Sequence, residues 1–70
     1  MTQERDLADF LREATDEEIF EKMQELELQT ESGRFAELSS LVALVETEIE
    51  QRFPGQSLAP YMRWKQNRLL

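Results

Sequence analysis

The sequence predicts an all-α protein, a small helical hairpin or bundle of three to four helices that dimerises. Three observations carry this expectation. Gly and Pro occur only twice each in 70 residues, while Leu, Glu and Gln are abundant and β-branched residues few, a composition that favours helix. Apolar residues recur at the i, i+3, i+4, i+7 spacing of a single helical face. The breaks between these periods carry helix start and stop signals. Disorder is the competing expectation for a short acidic chain, but 40 % of the residues are apolar and placed periodically, which sets it aside for the middle of the chain.

The first helix is expected over residues 3–13. Leu7, Phe10, Leu11 and Ala14 share one face, Asp6, Asp9 and Glu13 the other, and an acid-rich first turn suits the positive end of the helix dipole. Thr15-Asp16-Glu17-Glu18 is a capping box, in which the threonine hydroxyl takes the N–H of Glu18 and the glutamate reaches back. The second helix then spans residues 16–29, with Ile19, Phe20, Met23 and Leu26 on the apolar side, Glu18, Glu21 and Glu25 opposite, and Leu28 off the stripe. Gly33 supplies the left-handed residue that ends a helix.

The third helix is expected over residues 34–53. Phe35, Leu38, Val42, Val45, Ile49 and Phe53 repeat almost as a coiled-coil seam. Leu41 and Leu44 widen it well beyond the ordinary stripe of about 100°, so this helix should contact two neighbours. One is the second helix in a hairpin; the other is the first helix, the fourth or a second subunit. Pro54 and Gly55 end it. Ser57 is the expected N-cap of a fourth helix over residues 58–68, with Pro60 in its first turn, where a missing N–H costs little.

Size and chemistry bound the function. A single domain of this length has a thin core and needs a staple. Without Cys there is no disulfide, and without Cys or His a zinc site is not expected, which leaves tight helix packing or a homodimer. No apolar run approaches the ~20 residues of a membrane span, and the polar N-terminus is unlike a leader peptide; a soluble cytoplasmic protein is expected. General acid–base and nucleophilic catalysis usually recruit His, Cys or an activated Ser. Ser39 and Ser40 have no base beside them in sequence, and no phosphate loop is present, because the two glycines stand 22 positions apart. Asp16, Glu17 and Glu18 lack the spacing of a calcium loop. Neither enzyme activity nor a cofactor is expected.

Charge is unevenly distributed. Residues 1–53 hold all 15 acids and five of the 8 bases, a charge of −10, whereas residues 54–70 carry +3 from Arg63, Lys65 and Arg68. Wound as a helix, Tyr61, Trp64, Lys65 and Arg68 share one face, with Leu58, Met62 and Leu69 beside it. Such residues make protein-binding hot spots and can also stack on bases, although three cations on a chain of net charge −7 give little attraction for nucleic acid. Alternatively this helix folds back on the acidic helices and Trp64 completes the core. The stripe of Glu18, Glu21 and Glu25 is either a steering surface or an ordinary solvated face.

Asp16-Glu17, Phe35 and Glu48-Ile49 followed by Arg52 resemble, over roughly half the chain and with an insertion in the second helix, the small helical-hairpin inhibitors of sporulation histidine kinases. The functional expectation rests on the chain's own residues. It is a non-enzymatic regulatory or adaptor protein that binds another protein, with Tyr61, Trp64, Lys65, Arg68, Glu18, Glu21 and Glu25 as partner-binding residues. The alternatives are an acidic decoy for a nucleic-acid-binding or basic protein surface, and a self-assembling structural subunit.

Overall fold

The computed structural model describes residues 3–69, Leu69 by its backbone alone. The expectations for Met1, Thr2 and the Leu69 side chain lie outside the described residues. Of these residues 88 % are helical and none forms a strand. The helices are α1 (Gln3–Glu13), α2 (Asp16–Gln29), α3 (Phe35–Arg52) and α4 (Ala59–Leu69). A single π-type turn, Thr30–Arg34, joins α2 to α3. Counted as continuous runs there are therefore three helices, 3–13, 16–52 and 59–69, the middle one folded into a hairpin.

Local chemistry explains each junction. Both bonds of the capping box form: Glu18 N–H donates to Thr15 Oγ1 at 3.1 Å and Thr15 N–H to Glu18 Oε1 at 2.8 Å. Thr15 is extended, with φ −73° and ψ 165°, so the chain changes direction there. At the hairpin tip Gly33 takes φ 100°, a conformation that a Cβ disfavours. The Thr30 and Ser32 hydroxyls donate to the Glu27 and Gln29 carbonyls at 2.7 and 2.8 Å, satisfying acceptors that a helix end leaves open.

The start of α4 differs from expectation. Leu58, not Ser57, occupies the cap position, because its carbonyl accepts the Met62 N–H at 2.9 Å. Ser57 stands one residue earlier at φ 51° and serves the turn. Pro60 falls in the first turn, as expected.

The core is Leu7, Leu11 and Ala14 from the first segment, Ile19, Phe20, Met23 and Leu26 from α2, Leu38, Leu41, Val45 and Ile49 from α3, and Tyr61 from α4. α3 does serve two neighbours, α1 and α2. Its buried seam is Leu38, Leu41, Val45 and Ile49, rotated from the expected one. Val42 and Phe53 are only partly buried, and Phe35 is 68 % exposed. Phe35 is the first residue of α3, beside the hairpin tip. The radius of gyration, 11.9 Å, is close to the ~11 Å of a compact chain of this length.

Arg52 fastens three helices together. Its Nε donates to Glu48 Oε2, Nη1 to Asp16 Oδ1 and Nη2 to the Leu11 carbonyl, each at 2.9 Å. The planar guanidinium suits this role because its donors diverge in a fixed fork.

Candidate functional site

The aromatic and cationic face of α4 turns inward. Tyr61 is fully buried, and its hydroxyl donates to Glu27 Oε1 at 2.6 Å. Lys65 Nζ donates to the same oxygen at 3.1 Å and stands 5.1 Å from the Tyr61 ring centroid. Burial, then the hydrogen bond to Glu27 and its negative charge, push the phenol pKa well above its ordinary 10.0.

Phe20 is the hub of this contact. Its ring centroid lies 6.0 Å from Phe53, 6.1 Å from Tyr61 and 5.8 Å from Trp64, spacings typical of favourable aromatic pairs. The Arg68 guanidinium sits 4.8 Å from the Trp64 ring centroid, with Nη1 4.0 Å from Glu17 and 3.8 Å from Glu21. Tyr61, Trp64, Lys65 and Arg68 are thus brought together as one face, but that face is spent on α2. The reason is the shortage of core: large aromatic area is available in α4, and the acids of α2 attract its cations.

The acid stripe of α2 is exposed yet partnered at every position. Glu18 closes the capping box, Glu21 faces Arg68, and Glu25 pairs with Lys22 at 2.9 Å. Elsewhere Asp9 pairs with Arg12 at 3.2 Å and Glu37 with Arg34 at 3.7 Å.

Two surfaces remain that sequence reasoning passed over. The first is an open depression between the outer face of α3 and the segment leading to α4, lined by Ala43, Glu46, Thr47, Glu50 and Leu58 among others. Among the described residues no ion pair reaches Glu46 or Glu50; Glu50 Oε2 accepts the Gly55 N–H at 3.3 Å. The signal in the sequence was two like charges at i, i+4 on the polar flank of α3, an arrangement that costs stability.

The second surface is a groove of about 450 Å³ between α1 and the tip half of the hairpin, floored by Leu7, Phe10, Leu26, Leu38 and Leu41. Asp6, Lys22, Glu25 and Arg34 stand on its rim, and Lys22 Nζ lies 5.5 Å from the Phe10 ring centroid. Phe10 was expected in the core of α1 but is 40 % exposed here, since α1 packs on α3 and leaves this side of the groove open.

Among the described residues no group of three or more metal-ligating side chains converges, and no helix is long and apolar enough to cross a membrane. Comparison with known proteins finds no matching family model, no matching curated protein and no matching solved structure.

Proposed function

We propose that this chain is a non-enzymatic regulatory or adaptor protein that acts as a homodimer and binds a basic segment of another protein at the outer face of α3. The observation that carries this reading is the pair Glu46 and Glu50, exposed one turn apart beside the apolar Leu58. A lysine or arginine side chain laid there would set its aliphatic stem on Ala43 and Leu58 and its charge between the two carboxylates. Among the described residues, Arg12, Lys22, Arg34, Arg52, Lys65 and Arg68 are held in ion pairs. Little positive surface is left to repel such a partner, and the net charge of −7 speeds its approach. Tyr61, Trp64, Lys65 and Arg68 contribute by holding α4 in place, and through it the Leu58 wall of the depression.

The test is titration of a Lys/Arg-rich helical peptide against the full chain and against the double variant Glu46→Gln, Glu50→Gln. Binding that weakens with added salt and is lost in the double variant supports the reading. Equal binding by wild type and variant, or none by wild type, overturns it.

A further inference from the structure

We infer that the homodimer proposed above forms at the groove between α1 and the hairpin tip, with Phe35 of each protomer seated in the groove of the other. This placement rests on the dimeric reading and goes beyond it by naming the surface. Two observations carry it, and a third bounds its strength.

The first is charge. The rim holds two acids, Asp6 and Glu25, and two bases, Lys22 and Arg34, so it is neutral on a chain whose net charge is −7. Two copies brought together at the acid-rich outer faces of α1, α2 or α3 meet acid against acid, whereas at this rim they meet with balanced charge. A basic partner gains nothing here that the α3 face does not offer better.

The second is geometry. Phe35 is 68 % exposed and lies one turn before Leu38 on α3, immediately after Arg34; both of those neighbours line the groove. An apolar knob thus stands beside an apolar hole on the same surface. A two-fold axis between them lets each knob fill the other's hole, the reciprocal arrangement that a closed dimer requires. Leu28, 62 % exposed, is set apart from the groove: Leu26, two residues away on α2, is the one that faces it.

The third is area. The described surface totals 4967 Å², and a standard interface takes about 800 Å² from each partner. The groove and Phe35 alone fall short of that. The dimer is therefore of the weak, transient class.

Sedimentation of the full chain, from micromolar to millimolar concentration, tests this at low salt and at about 1 M salt, where the Debye length shrinks to about 3 Å. The expected result is a dimer that strengthens with salt, because screening relieves the repulsion between two acidic copies while the apolar contact persists. Phe35→Ser should raise the dissociation constant about tenfold or more, with helicity and unfolding midpoint unchanged at concentrations where both proteins are monomeric, since Phe35 is exposed in the monomer. Leu28→Ser should leave the dimer as it is.

A wild-type monomer at every concentration overturns the dimer itself. A dimer indifferent to Phe35→Ser, or one lost in Leu28→Ser, overturns only its placement. The opposite salt dependence of the peptide titration keeps the two readings distinguishable.

Discussion

The Tyr61 hydroxyl donates to the Glu27 carboxylate at 2.6 Å, across 34 residues of sequence, and this contact ties α4 to α2. Tyr61→Phe keeps the ring in the core and removes only the donor. Hydrogen bonds to charged groups are worth about 1.5–3 kcal/mol. Because Lys65 still holds the carboxylate, the variant should lose about 1–2 kcal/mol in urea unfolding with helicity unchanged.

The same pair sets a pH dependence. Burial and Glu27 raise the phenol pKa above 10.0, so the folded protein keeps a proton that the unfolded chain loses near its ordinary value. The stability this group contributes is complete below pH 10 and declines as pH rises beyond it. Tyr61 is the only tyrosine, so tyrosinate absorbance in the folded state reports it alone and should appear only above the range of a free phenol. The stability difference between wild type and Tyr61→Phe should narrow as pH rises past 10.

Arg52 bonds to Leu11, Asp16 and Glu48 at once. Arg52→Ala strands the Leu11 carbonyl and frees the C-terminal end of α1, for an expected loss of about 2 kcal/mol. Arg52→Lys keeps the charge without the fork and should restore less than half of it. Hydrogen exchange should show α1 amides losing protection first in both variants.

At the helix junctions the costs are local. Thr15→Ala removes a reciprocal cap and should cost about 1 kcal/mol. A Cβ at Gly33 would meet nothing within 4 Å, so Gly33→Ala isolates the backbone penalty of positive φ, about 1–2 kcal/mol. Gly33→Asn should cost less, since Asn tolerates that region. Equal midpoints for the three glycine-site proteins in thermal unfolding would contradict this.

Trp64 packs on Phe20 and Tyr61 and carries Arg68 on its ring. Truncating a buried tryptophan costs about 3–5 kcal/mol, and partial exposure brings Trp64→Ala to about 2 kcal/mol. α4 should then detach while the α2–α3 hairpin keeps its helicity. Phe20→Ala should shift the emission of the single tryptophan to the red, reporting the same docking from the other side.

The bounds of α1 and α2, the capping box at Thr15, the turn at Gly33 and the two-neighbour character of α3 were all legible, because each depends on residues within one or two helical turns. What failed locally was the Ser57 cap, displaced one residue by a turn in which Ser57 itself takes positive φ. Glu46 and Glu50 were in plain view as a like-charged pair, but which acids find a cation cannot be read from spacing.

The sequence by itself therefore determined the helices, their polarity and the absence of histidine and cysteine chemistry, since periodicity and capping are short-range. Only the tertiary structure decided that the Tyr61, Trp64, Lys65 and Arg68 face is turned onto Phe20, Glu27, Glu17 and Glu21. It also decided that Phe35 is left outside the core and that Arg52 reaches residues 36 and 41 positions away. The physical reason is that a helix's period names an apolar face but not what covers it. That choice depends on how much apolar area the other helices leave uncovered, and here α4 supplied it.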